Sequence, residues 1–258
     1  MSIKSERFKE MRAIRDELLE KELYLLEAQL HEYKLFDDDE LGKYVLGYFR
    51  KKLAKAPPIR PYLIRKFIDY LNFYQEGTNF HYSPEALDKL KTKLSLVFEA
   101  TVCVQYLHNH ILDEKYEFDL KNCPRLWRNM LASNLLKSAL FAYLNDEVRP
   151  LLQSSEQFIH LQELLNKLCL VVDAGQRLDK HFSNYRAYRK ADYAPFVEAN
   201  WLEDDFCRNL LSPFITHIAN ALDEEPVFLR LYFHRIYQTN VFFFRTLAKT
   251  AITFFPGL

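Results

Sequence analysis

An uncharged stretch from Ala100 to Leu107 places the strongest constraint on how this chain can fold. Eight successive residues without a charge are enough for two buried helical turns. The stretch leads directly into the polar cluster His108-Asn109-His110. Because a purely structural helix rarely ends on such a cluster, the sequence predicts a functional site at the end of this helix.

Glycine is scarce, with five glycines among 258 residues. A sheet protein with many tight turns needs glycine where φ is positive, so this scarcity favours long helices. The spacing of leucines and charges over residues 3–35 predicts an amphipathic helix. We therefore expect an all-α protein with one domain over residues 1–258, in which an N-terminal helix over 1–36 precedes a helical bundle over 37–258.

Two sites along the chain carry strong signals for helix boundaries. Pro57-Pro58 should end a helix that begins near Leu41. Ser83-Pro84 should begin another, with Ser as the N-cap and Pro at the first helical position. That helix either continues into the stretch at Ala100 or is separated from it by a short break.

The charge balance limits the classes of partner. Lysine plus arginine and aspartate plus glutamate each total 35, so the formal net charge is zero. A general nucleic-acid binder needs a basic excess, and we expect no nucleic-acid partner, although a local basic patch is compatible with this balance.

Cysteine usage and hydropathy predict the compartment. The four cysteines form no Cys-x-x-Cys pair, which favours a reduced intracellular setting. The charged first 35 residues do not resemble a secretory signal, and no run of 18 apolar residues predicts a transmembrane helix. We expect a cytoplasmic protein. The apolar tail Ala248–Leu258 either folds over the core or contacts a partner or a membrane surface.

Asn109 and Asp113 are four residues apart and share one face of a helix. Both carry side-chain oxygens, which are the ligands that Mg²⁺ prefers. The spacing therefore predicts that these two residues bind Mg²⁺.

The segment from His108 to Glu114 resembles the first aspartate-rich motif of the trans-isoprenyl diphosphate synthases, His-Asp-Asp-x-x-Asp-Glu. Asn109 and His110 stand where that family has its first two aspartates, and Asp113 matches the third. Further landmarks follow the family's order along residues 41–245. They are Arg60-Pro61, Leu131-Ala132-Ser133-Asn134-Leu135-Leu136 and Gly175-Gln176-x-x-Asp179. Tyr237-Gln238 would open the second motif, but Val241, Phe242 and Arg245 replace its aspartates.

The resemblance implies a single-domain bundle of the isoprenoid synthase type and gives each candidate residue a role. The implied catalytic residues are Asn109, Asp113, Gln176 and Asp179. The implied substrate-binding residues are Arg60, His110, Arg177 and Lys121. Mg²⁺ would be held by Asn109 and Asp113.

Some of these residues also have plainer interpretations. Arg60 would then be a surface arginine before a helix, and Gly175 would allow close packing of two helices. Glu203-Asp204-Asp205 is read as a helix N-terminus in preference to a second metal site.

These sequence features lead to three alternative hypotheses for the function. The first is an atypical class I isoprenoid synthase-like protein that binds an isoprenyl diphosphate or a similar apolar ligand, as a prenyltransferase or terpene synthase relative. The second is a non-catalytic subunit or scaffold, a homodimer or a heteromer with an active prenyl diphosphate synthase. The third is a helical interaction module.

Overall fold

The protein was analysed as a computed structural model. It describes residues 3–32, 39–55, 61–62, 65–66, 69, 82–112, 125–159, 161–163, 165–166, 208–209, 212–227 and 229–230. The chain divides into two compact units. The first comprises Met1, Ser5–Asp69 and Asn79–Phe158, and the second comprises Ser2–Lys4, Tyr70–Thr78 and Ile159–Leu258. The prediction of one domain stays a prediction.

The described residues form helices and the turns between them, with no strand among them, which confirms the all-α class. The α-helices in chain order are α1 (Ile3–Glu17), α2 (Leu23–Glu32), α3 (Asp39–Lys55), α4 (Pro84–Leu112), α5 (Arg125–Tyr143) and α6 (Ser212–Leu222). A π-helical turn, Leu18–Glu22, joins α1 to α2. A second π-helical turn, Leu144–Val148, and a 3₁₀ turn, Arg149–Leu151, follow α5. None of the helices in the described ranges is long and apolar enough to cross a bilayer.

Helix α4 begins as its sequence predicts. The backbone N–H of Ala86 donates to the Ser83 Oγ at 3.2 Å, so Ser83 caps the helix that starts at Pro84. The helix then continues for 29 residues to Leu112 without a break. The polar cluster at 108–110 therefore lies on the last turn of a continuous helix.

Helix α4 is the central helix of the first unit, where it contacts α3 and α5 and both π-helical turns. Every residue from Ala100 to Leu107 is buried except Tyr106, which is 40% exposed. The prediction of a buried stretch is thus confirmed over two turns. Ala132 and Ser133 are also buried, and their small side chains suit the close approach of α5 to α4.

A nearly buried lysine links α4 to both π-helical turns. Lys93 Nζ lies 3.3 Å from Glu22 Oε2 in the first turn and 2.8 Å from Glu147 Oε2 in the second. Tyr143 donates its hydroxyl to the same Glu22 oxygen at 2.7 Å. Burial, with the negative charges of Glu22 and Glu147, raises the pKa of Tyr143 far above its usual value, so the phenol stays protonated and donates.

In the second unit, α6 buries one face through Phe214, Ile215, Ile218 and Ala219. Its carboxyl end is closed by Asp223, which adopts a left-handed φ of 55°. The N–H of Glu224 donates to the Ala219 carbonyl at 2.9 Å, and the N–H of Asp223 donates to that of Asn220 at 3.3 Å. This pair of bonds is a Schellman motif, which satisfies carbonyls left over at the helix end.

Replacing Lys93 with Met should lower the free energy of unfolding by about 3 kcal/mol, because two carboxylates would remain close together without their shared cation. Urea denaturation followed by circular dichroism measures the change. Lys89→Met on the same helix is the matched control, since Lys89 is exposed and forms only a surface pair with Glu85. Equal small losses in the two variants would contradict a structural role for the Lys93 cluster.

Candidate functional site

The structure describes only part of the predicted site. His108, Asn109 and His110 lie on the last turn of α4. The other predicted residues lie outside the described residues, and they are Arg60, Asp113, Lys121, Gln176, Arg177 and Asp179. The Mg²⁺ pair of Asn109 and Asp113 therefore stays a prediction, as does the proximity of the 109–113 and 176–179 segments.

His108 joins the end of α4 to α5. Its Nε2 lies 2.6 Å from the Oγ of Ser133, a buried residue. Ser133 belongs to the predicted landmark at Leu131–Leu136, where small residues were expected to allow close packing of helices. This part of the polar cluster therefore has a structural role.

His110 faces a different helix. Its ring meets the edge of Tyr48 on α3, with centroids 6.3 Å apart and planes at 81°. Tyr44, one turn earlier on α3, lies 6.1 Å from Tyr48. The ring of His110, on the last turn of α4, therefore packs against a pair of tyrosine rings on α3.

Two cations flank these rings. Lys52 Nζ lies 5.2 Å from the centroid of Tyr48 and 4.5 Å from that of Tyr106. On the other side, the Arg128 guanidinium lies 4.3 Å from the ring of Tyr44. All three separations are within the range of cation–π attraction. We define the basic-aromatic face as the six residues Tyr44, Tyr48, Lys52, Tyr106, His110 and Arg128.

The phenol of Tyr44 also fixes the face to the core. Its hydroxyl donates to Asn129 Oδ1 at 2.8 Å, and Asn129 is 1% exposed. Because a buried amide oxygen needs a donor, this bond holds α3 in register with α5.

The sequence around the face is strongly basic, although the whole chain is neutral. The three segments that build it are Lys43–Lys55, Ala100–Leu112 and Arg125–Asn145, and they contain no aspartate or glutamate. They carry eight cationic residues, namely Lys43, Arg50, Lys51, Lys52, Lys55, Arg125, Arg128 and Lys137. Arg50 pairs with Glu27 of α2 at 3.9 Å, and the remaining cations favour a positive potential around the face, which would attract anions.

A cavity of about 280 Å³ lies elsewhere in the first unit, between α1, α4 and the residues Arg65, Lys66 and Asp69. The basic side chains that line the cavity form ion pairs with nearby carboxylates. Arg65 bonds Asp88 at 2.5 Å, and Lys91 bonds Asp69 at 2.6 Å. These pairs hold neighbouring segments together, which makes the cavity a weaker candidate for a ligand site than the basic-aromatic face.

Within the described ranges, no group of three His, Cys, Asp or Glu side chains is placed to hold a metal ion. Comparison with known proteins adds no further assignment, since no family model, curated protein or solved structure matches the chain. The likeness to isoprenyl diphosphate synthases therefore rests on its motifs alone.

Sequence reasoning singled out His110 but missed its neighbours. Tyr44, Tyr48 and Lys52 received no functional role from the sequence. Both tyrosines are half-buried, and Lys52 lies over the rings of Tyr48 and Tyr106. The signal that could have found this site is the acid-free basic run of α3, from Lys43 to Lys55.

Replacing Tyr44 with Phe should lower the free energy of unfolding by about 1–2 kcal/mol, because the buried Asn129 loses the hydroxyl that donates to it. Tyr24→Phe is the matched control, since Tyr24 is 66% exposed on α2. Urea denaturation of the two variants measures the difference. A Tyr44→Phe protein as stable as the control would contradict the anchoring role of this bond.

Proposed function

We propose that this chain binds an anionic amphiphile, either an isoprenyl diphosphate or a similar phosphate ester with an apolar chain, on the basic-aromatic face. The observation that carries the proposal is the contact of two cations with three tyrosine rings near the end of α4, where Lys52 lies over Tyr48 and Tyr106 and Arg128 lies over Tyr44. The proposal concerns binding, because Asp113, Gln176 and Asp179, the carboxylate and amide side chains to which turnover was assigned, lie outside the described residues.

The cations would attract the phosphate groups. Lys52 and Arg128 belong to segments without a carboxylate, so the positive potential is not cancelled within those segments. Arginine suits phosphate because its planar guanidinium can donate two parallel hydrogen bonds, whereas lysine acts as a compact charge.

The tyrosine rings would contact the apolar chain. Tyr106 is 40% exposed although it continues a buried stretch, so its ring is open to a ligand while its neighbours hold the helix in the core. Tyr48 lies between Lys52 and His110 and would contact the part of the ligand next to the phosphates. A ligand with both a charge and an apolar chain uses both features of the face.

The sequence motifs agree with this position. His110 is one of the four residues that the family resemblance assigns to substrate binding, and it lies within the basic-aromatic face. The alternative of a non-catalytic subunit was motivated by the tail Ala248–Leu258, which lies outside the described residues. It stays a prediction.

Binding can be tested by titrating the full-length protein with geranylgeranyl diphosphate and following heat release, with and without Mg²⁺. Geranylgeraniol, which lacks the charge, and inorganic pyrophosphate, which lacks the chain, serve as ligand controls. We expect the diphosphate to bind at least about tenfold more tightly than either, since each part of the ligand should add at least about 1.4 kcal/mol.

Variants of the face supply the second part of this test. Lys52→Met should weaken binding about tenfold, a change of about 1.4 kcal/mol, because one phosphate-binding charge is lost. Lys51→Met, at an exposed position on the same helix and outside the face, should leave affinity within about twofold. Failure of the diphosphate to bind, or equal weakening by both variants, would overturn the proposal.

A further inference from the structure

Helix α5 exposes a stripe that is neither charged nor covered. It consists of Trp127, Leu131, Asn134, Ser138, Phe141 and, just beyond the end of the helix, Asn145. All six are exposed, and the three large apolar side chains are 46%, 39% and 37% accessible for Trp127, Leu131 and Phe141. Exposure of three large apolar side chains along one helix face is a feature of interaction surfaces.

The stripe has the spacing of residues that line the contact between two packed helices. Its positions are separated alternately by four and three residues from Trp127 to Asn145. This pattern has the average period of about 3.5 residues that keeps one face of a helix against a partner helix. The opposite face of α5 is already occupied, because Ala132, Leu136 and Ala139 are buried.

The order of residues in the stripe favours a second copy of this chain as the partner. When the helix is paired antiparallel with a copy of itself around Leu136, Leu131 of one copy faces Phe141 of the other. Asn134 then faces Ser138 at the centre. Each member of the stripe thus meets another member, which is the self-complementarity that a twofold interface requires.

The pairs are also chemically matched. Leu131 and Phe141 would form two apolar contacts, one on each side of the axis. The small polar pair of Asn134 and Ser138 would allow the helices to approach closely and would exchange hydrogen bonds at the centre.

The outermost residues of the stripe, Trp127 and Asn145, would also face each other in the two copies. Asn145 already donates its Nδ2 to the Phe141 carbonyl at 2.9 Å, so its Oδ1 is the atom that can accept a hydrogen bond. The indole N–H of Trp127 is a donor only, and it would face that oxygen in the partner.

We propose that this stripe is the interface of a homodimer, in which the α5 helices of two copies pack antiparallel. The twofold axis crosses the helices at the level of residue 136, whose own side chain lies on the opposite, buried face. The stripe is about 27 Å long at the helical rise. One helix pair is at the low end of specific interface sizes, so we expect an association that depends on protein concentration. The inference is independent of the proposed ligand, because the stripe and the basic-aromatic face share no residue.

Light scattering after size-exclusion chromatography, over a range of protein concentrations, tests the dimer. We expect the mass to rise with concentration towards twice the 30.8 kDa of one chain. Leu131→Glu and Phe141→Lys should each weaken association at least about tenfold, because each places a charge against an apolar residue of the partner. Tyr24→Glu, an exposed aromatic position outside the stripe, should leave association unchanged.

Mixing the two charge variants tests the antiparallel register. Leu131→Glu in one chain would face Phe141→Lys in the other, while the native Leu131 and Phe141 meet at the second position. We expect the mixture to form a heterodimer although each variant alone is a monomer, with circular dichroism confirming that both fold. A wild-type protein that is monomeric at all concentrations would overturn the proposal, as would a mixture that stays monomeric.

Discussion

The first unit depends on the cluster in which Lys93 binds two carboxylates at once. Glu22 and Glu147 lie far apart in the sequence and both occupy π-helical turns. A π turn rotates the following residues relative to a regular helix and often marks a site where one side chain must reach a particular position. Here each turn presents a carboxylate to Lys93 in the first half of α4. The cluster therefore fixes α1–α2, α4 and α5 relative to one another at one end of this unit.

Tyr44 and His108 fix α3 and α4 against α5 at the other end. Tyr44 bonds the buried Asn129, and His108 bonds the buried Ser133. These two contacts fix α3 and the end of α4 against the first half of α5. Between the two ends α4 buries apolar side chains together with the polar residues Ser95, Glu99, Thr101 and Gln105, and small residues such as Ala132 allow the close approach of α5. The basic-aromatic face is thus built on helices whose register is set by buried polar bonds, which favours a rigid binding surface.

Much of the local structure follows from sequence signals. The Ser83-Pro84 start, the buried stretch from Ala100 and the absence of strands among the described residues all agree with expectation. Local signals succeed here because caps and apolar periodicity act within one or two helical turns. The environment of Lys52 was not predictable in this way. A lysine on a helix is by default a solvent-exposed residue, and only the neighbouring α4 helix brings Tyr106 beneath it. The roles assigned to Gln176 and Asp179 stay predictions.

By itself, the sequence determined that the chain forms long helices and that one of them is buried up to a polar last turn. It also determined the charge segregation around the basic-aromatic face and the repeating pattern of the α5 stripe, because composition and spacing are local properties. Only the tertiary structure decided which charged residues became structural and which surround the face. Lys93 and Lys52 are both lysines on amphipathic helices, but one is held by two distant carboxylates and the other lies over aromatic rings. Those partners are far away in the chain, and the distinction arises only when the helices pack.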